Sequence, residues 1–469
     1  MSPIRPPITS EQLSALPPDF EALLRSVIEH YERRIAELEA RLNKSPQNSS
    51  LPPGTQHPHA KPAPQKPKSK KQQGGQPGHA RQERPLIPTD ECDEVQSLKP
   101  AECRRCGRKL SGTDAAPLRH QVWELPEIRP QVTEYQRHRL ACPGCQTTTC
   151  AELPAGVPRG QSGPRLVAFT ALLMAYFRQS KRRTALFLEA ILHQPCCAAT
   201  AVKMQIQATA ALAPVYQELI AQLPSQPRLG IDESPTKQGL TKAWLWTCVA
   251  HTFTVFALRA TRAATVLDEL LTDAFHGTIN CDRAKMYWSR GRLQWCWAHL
   301  RRDFQALIDS GDGQAKRLGH ELLRPTRELF HHWARYRDGT LSRTGLKRAL
   351  APIRQSVEAL LLRGECSGNP RLHGMCRELH DHRDWLWTFL DHEGVEPTNN
   401  HSERALRHAV IWRKLSFGTQ SAAGSRFVET MLSVIETSRQ QNRNLFAFVT
   451  QAVESHFAGQ PTPSMLPGA

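Results

Sequence analysis

The chain has 469 residues and a mass of 52.8 kDa, room for two to four units and at least one substantial core. Sixty-one Lys and Arg against 44 Asp and Glu leave a formal charge of +17, a surplus suited to a polyanionic partner, although a merely soluble basic surface would carry it too. The longest nearly apolar run, Leu166 to Phe177, is too short to span a bilayer, and Met1-Ser-Pro-Ile-Arg-Pro-Pro lacks an apolar signal region, so neither membrane insertion nor secretion is expected. A cytoplasmic, nucleoid-associated protein follows, and its 13 cysteines point to metal rather than disulfides in that reducing setting.

In chain order, the first unit (1–45) is an amphipathic, coiled-coil-like helix. Leu24, Ile28, Tyr31, Ile35, Leu38 and Leu42 alternate steps of four and three, a seam that serves self-association or packing on the rest of the chain. A basic, Pro-rich linker (46–90) follows, with too few large apolar residues to offset chain entropy. Its Lys66, Lys68, Lys70 and Lys71 can track a phosphate backbone or simply solvate a tether.

Residues 91–155 read as a zinc module. Cys103-Arg-Arg-Cys106 and Cys142-Pro-Gly-Cys145 each place two thiolates two residues apart, the grip of a knuckle on one structural Zn²⁺, with Gly107 and Gly144 expected to ease the turns. Val122-Trp-Glu-Leu and Val132-Thr-Glu-Tyr read as strands of a ribbon interrupted by Pro126 and Pro130. Residues 160–225 are expected to form a helical DNA-binding module, its helices serving as a helix-turn-helix or an ordinary packed hairpin.

From 226 to 455 the pattern turns to α/β. Strands are expected over Leu229 to Asp232, Trp244 to Ala250, Thr252 to Leu258, Thr278 to Cys281 and Leu293 to Trp297, with a helix from Ala264 to Phe275. A helical insertion (about 305–396) precedes a helix from Asn399 and a last one from Arg426 to Gln441; 456–469 is read as a flexible tail.

Asp232 and Asp282 each follow a strand, and Glu403 opens a helix. That layout lets three hard oxygen donors converge on two Mg²⁺ or Mn²⁺ ions, with Asp232 bridging them, while Glu233 points to the opposite strand face. Asp after a strand is also a common turn residue, and Asn400 with Glu403 has the spacing of a capping box. Arg404, Arg407, Arg413, Lys414 and Arg426 cluster on or after the Glu403 helix, where phosphates would approach. Cys296 and His299 form a Cys-x-x-His that reads either as active-site support or a DNA contact, or as a packed strand-end pair.

The sequence resembles the IS66-family transposases of bacterial insertion sequences. The resemblance rests on Ile231-Asp-Glu-Ser, Asn280-Cys-Asp-Arg, Cys296-Trp-Ala-His-Leu-Arg-Arg-Asp-Phe304 and Asn399-Asn-His-Ser-Glu-Arg-Ala-Leu-Arg407, together with Gly74-Gly-Gln-Pro-Gly-His79 and the four zinc-module cysteines. It implies an RNase H-like mixed sheet with a large all-α insertion, preceded by the helix, the zinc ribbon-like module and the helical module. It further implies Asp232, Asp282 and Glu403 as a DDE triad, and cleavage and strand transfer of DNA at terminal inverted repeats into target DNA. The expected assembly is a homodimer or larger on DNA, with small accessory proteins of the same element. A catalytically inactive, zinc-dependent DNA-binding regulator derived from a transposase is the alternative.

Overall fold

The computed structural model describes residues 14–42, 84–310 and 312–466, so Lys66, Lys68, Lys70 and Lys71 lie outside the described residues. Two compact units are present, residues 57–130 and the remainder of the chain.

In the larger unit, helix α1 (Pro18–Leu42) leaves Phe20, Leu23, Val27, Tyr31, Ile35 and Leu38 exposed. A short hairpin of β1 (Arg139–Ala141) and β2 (Thr148–Cys150) follows. The expected strands at Val122 to Leu125 and Val132 to Tyr135 do not form. Val122 and Val132 are 79% and 87% exposed, and a strand with no face to bury and prolines close by has nothing to pair for.

The main sheet has five strands. β3 (Arg228–Gln238) turns at Gly239, whose φ of +59° favours glycine, into antiparallel β4 (Thr241–Val249), and this pairs antiparallel with β5 (Thr254–Arg259). Helix α5 (Thr265–Leu271) carries the chain across to β6 (Thr278–Cys281), parallel to β3, and β7 (Leu293–Trp295) lies parallel to β6. The order across the sheet is β5-β4-β3-β6-β7, a mixed α/β arrangement with β3 at its centre. β3 runs well past the expected end at Asp232, because it gains an antiparallel partner in β4 through the whole hairpin.

The helices before the sheet belong to the same core. α2 (Pro164–Ala175), α3 (Lys181–Leu192) and α4 (Ala198–Ala221) contribute Val167, Leu188, Met204, Leu212 and Leu219 to the cluster that holds Leu229, Ile231 and Trp246. Tyr216 on α4 donates to the Phe256 carbonyl at 2.9 Å. The helices expected over 160–225 are present, and α4 spends one face packing on the sheet and its neighbours.

After β7 come α6 (Trp297–Ile308), α7 (Gly313–Arg337), α8 (Arg343–Glu365), α9 (Pro370–Asp381) and the single turn α10 (Thr388–Asp391). Their far end is tied back to β7. Trp297 Nε1 donates to Leu386 O at 2.7 Å, Phe389 N donates to Gln294 Oε1 at 2.7 Å, and His382 stacks on Trp385 beside Trp295. This return delivers the chain to α11 (Asn400–Ser416), which packs on β3 and β4.

α12 (Ala422–Gln440) covers the free edge of β5 in an unusual way. Leu258 N donates to Glu429 Oε2 at 2.9 Å, Phe256 N to Ser433 Oγ at 2.9 Å and Thr254 N to Thr437 Oγ1 at 3.1 Å. Four residues of helix rise about 6 Å and two residues of strand about 6.7 Å, so a polar side chain on every helical turn meets each outward N–H in register. The helix thus occupies the place of a sixth strand and closes an edge open to pairing with other chains. α13 (Leu445–Ala458), absent from the sequence reading, packs Phe448, Val449 and Val453 into the core. Residues 459–466, within the segment expected to be a flexible tail, are docked. Met465 is buried, its carbonyl accepts from Gln441, and Ser464 Oγ donates to Glu218 at 2.6 Å.

Candidate active site

Asp232, Asp282 and Glu403 lie near enough for the charges of Asp282 and Glu403 to act on Asp232. Asp232 lies on β3 two residues beyond the Gly230–Asn280 pair, and Asp282 immediately follows Cys281, the last residue of β6. A Cβ built on Gly230 would stand 2.4 Å from Ser402 Oγ and 2.9 Å from Asn399 Oδ1, so this face of β3 looks directly onto the start of α11. Asp232 shares that face by strand alternation. Glu233 takes the other, where Tyr287 Oη donates to it and Arg262 Nε donates to it at 2.6 Å.

A hydrogen-bonded clasp sets where Glu403 sits. Asn399 Nδ2 donates to Ile231 O at 2.7 Å, and Asn280 Nδ2 donates to Glu396 O at 2.9 Å and Thr398 O at 3.0 Å. Cys296 Sγ accepts the Asn399 N–H at 3.2 Å. The N-cap of α11 is Asn399 and it makes no side-chain cap bond, so the capping-box reading of Asn400 and Glu403 does not hold. The Glu403 carboxylate instead faces Arg302 at 3.4 Å and His299 at 3.6 Å.

The electrostatics are those of a crowded anionic cluster. Burial, reinforced by the charges of Glu233, Asp282 and Glu403, holds the Asp232 carboxyl well above the usual carboxylate range. Burial and the Asp282 charge likewise raise Glu233. Two cations missed in the sequence answer this charge: Arg262 pairs with Glu233 and lies 3.8 Å from Asp282 Oδ2, and Arg302 reaches Glu403. Among the described residues, the group whose metal-binding atoms all lie within 4.8 Å of one another is Cys296, His299 and Glu403, not the three carboxylates.

Of the expected phosphate contacts, Arg404, Arg407 and Lys414 stand exposed on α11. Arg413 does not: it is half-buried and donates to Ser234 Oγ at 2.9 Å and to Pro235 O, pinning α11 to β3. Arg426 is exposed but pairs with the buried Glu429 at 3.0 Å. No helix among the described residues is long and apolar enough to cross a membrane.

Each cysteine knuckle is built in the same way within its own unit. Cys103 N donates to Arg108 O at 2.9 Å and Gly107 N to Cys103 O at 2.8 Å; Cys142 N donates to Thr147 O at 2.9 Å and Gln146 N to Cys142 O at 2.9 Å. The left-handed residue is the one after the second cysteine, Gly107 (φ +69°) and Gln146 (φ +58°). Gly144 is thus not the residue that needs positive φ, contrary to the sequence expectation. Backbone N–H groups of Arg105 and Cys106 lower the Cys103 thiol, and hydrogen bonds from Thr147 lower that of Cys145. Thiols so stabilised as thiolates have the chemistry of zinc ligands.

A family model described as transposase IS66 family matches residues 159–426, and one described as zinc-finger binding domain of transposase IS66 matches 100–146, spanning both knuckles. A family of unknown function matches 7–85. Two proteins of Sinorhizobium fredii are similar. Uncharacterized protein y4jD is 23% identical across 54% of this chain and 55% of its own length, and uncharacterized protein y4qI is 24% identical across 49% and 46%. The chain therefore spans about half the length of these curated relatives.

Proposed function

The chain belongs to the IS66 transposase family, and on that footing we propose that it binds the ends of a mobile DNA element and catalyses metal-dependent cleavage and strand transfer. The observation that carries the reading is Asp232 on the central strand, whose proton affinity is raised by burial and then by the charges of Glu233, Asp282 and Glu403. Like charges gathered at burial cost stability unless a cation joins them, and three carboxylates are the donor set that Mg²⁺ or Mn²⁺ prefers. The strand order, with a three-stranded antiparallel meander followed by two parallel strands, supports an RNase H-like core.

Asp232, Asp282 and Glu403 would hold the divalent ions. A bound pair of such ions activates an attacking water or 3′-hydroxyl and stabilises the departing oxygen. The protein's own part is placement. Asn399 and Asn280 fix the start of α11 against β3 and β6, so Glu403 is presented to Asp232 by the rigid scaffold rather than by a loop. Arg262 and Arg302 screen the acids from one another in the metal-free state and are placed to meet phosphate oxygens once the carboxylates turn to metal. Arg404, Arg407 and Lys414 extend a positive surface along α11 for the DNA backbone. Zinc is assigned to Cys103, Cys106, Cys142 and Cys145 in a structural role, supported by the matched zinc-finger model. Self-association through the exposed apolar stripe of α1 would bring two copies to paired ends.

The test is a strand-transfer assay on linear end DNA with Mg²⁺. Asp232→Asn, Asp282→Asn and Glu403→Gln should each abolish product while end binding, measured by gel shift, persists. Activity retained by any one of them removes that residue from the triad.

A further inference from the structure

We propose that Cys296, His299 and Glu403 form a second metal site, for a thiophilic cation of the Zn²⁺ class, which shares Glu403 with the carboxylate cluster and so competes with it. The donors already converge, with all three ligand atoms within 4.8 Å of one another. The His299 Nδ1 to Glu403 Oε1 separation of 3.6 Å is close to the roughly 3.4 Å edge that tetrahedral zinc sets between nitrogen and oxygen ligands at about 2.0–2.2 Å. Cys296 is the N-cap of α6 and His299 lies three residues on, so both side chains leave the same helical face.

A further observation points to a ligand. His299 Nδ1 is buried with no hydrogen-bond partner, so its lone pair is left for a ligand. The Cys296 sulfur receives the Asn399 N–H at 3.2 Å, while burial pushes its thiol up to about 11, so a bound cation must displace that proton. One sulfur, one imidazole and one carboxylate suit zinc, whereas the all-oxygen trio suits Mg²⁺. Three protein ligands leave a coordination position open, so the site is exchangeable rather than sealed. Binding expels the Cys296 thiol proton to solvent and displaces Arg302 from its 3.4 Å contact with Glu403. Since a Glu403 oxygen turned to zinc is lost to the hard-metal site, zinc acts as an inhibitor. That consequence rests on the transposase reading; the binding itself does not.

The experiment uses the full chain purified with its resident zinc, dialysed against micromolar Zn²⁺ and measured for bound metal by mass spectrometry. Wild type should carry about two zinc ions per chain, and Cys296→Ala and His299→Gln about one, while Cys103→Ser loses the other ion. In strand transfer, the zinc concentration for half-inhibition should rise by about tenfold or more in His299→Gln. Thermal melts check folding, and if Cys296→Ala fails to fold, His299→Gln decides. Unchanged zinc content in folded His299→Gln overturns the site, as does zinc inhibition with no second bound ion. Two bound ions without any strand transfer would leave the metal site standing and refute the transposase reading instead.

Discussion

Gly230→Ala perturbs the candidate active site without touching a carboxylate. The new Cβ would lie 2.4 Å from Ser402 Oγ, about 1 Å short of ordinary contact, and 2.9 Å from Asn399 Oδ1. Both neighbours sit at the start of the helix that carries Glu403, and Asn399 is anchored to Ile231 of the same strand. The helix start must therefore shift by roughly 1 Å or rotate, at an overpacking cost of about 1–3 kcal/mol. Misplacing a catalytic group by that distance costs on the order of 100-fold in rate. The assay pairs strand-transfer rate with a denaturant melt, and the informative variant is the double mutant. Ser402 Oγ is buried without a hydrogen-bond partner, so Ser402→Ala should be nearly neutral alone and should recover most of the lost activity on the Gly230→Ala background. Wild-type rate in Gly230→Ala, or no recovery in the double mutant, would refute the contact argument.

Three other expectations concern stability and metal content. Ser433→Ala or Thr437→Val strips the partner from an outward N–H of β5 and should cost about 1–3 kcal/mol each in urea melts, with soluble aggregates formed through the reopened edge; cost-free variants would dismiss the helix as an edge cover. Because burial and then its acidic neighbours raise the Asp232 carboxyl, the folded metal-free chain keeps a proton that the unfolded chain releases, so stability falls as pH rises from about 4 through the folded value. In Mg²⁺-free buffer, Asp232→Asn should flatten that decline and melt at a higher temperature than wild type near neutral pH; an identical pH profile would contradict the assignment. Gly107→Val, at a left-handed position, should lower bound zinc and loosen protection of 100–110 from hydrogen exchange, and normal zinc content would show that the turn tolerates a branched side chain.

Much of the architecture was legible because its causes are local. The short runs at Leu229 to Ile231, Thr278 to Cys281 and Leu293 to Trp295 are strands whose apolar residues are buried, and such runs announce themselves. The cysteine knuckles are equally local, since their turn is closed by hydrogen bonds within six residues. Glu233 was placed on the correct face by alternation alone. The failures share a different cause. Val122 and Val132 have strand-like composition, but no sheet lies beside them. Arg413 looked like one more surface cation until the packing of α11 on β3 gave it Ser234 and Pro235 as partners. Arg262 and Arg302 could not be singled out among 61 basic residues, because only the fold sets them beside Asp282 and Glu403.

The sequence by itself determined the types of chemistry available: three acids on two strands and a later helix of an α/β pattern, two cysteine pairs at zinc spacing, and a charge suited to DNA. Backbone periodicity and side-chain identity are properties of neighbouring residues and survive without a fold. The tertiary structure decided which acids feel each other, which arginines answer them, and that His299 and Cys296 converge on Glu403 from a helix that lies about a hundred residues earlier in the chain. Distances between residues so far apart depend on how α11 is clasped to β3 and β6, and no local pattern encodes that closure.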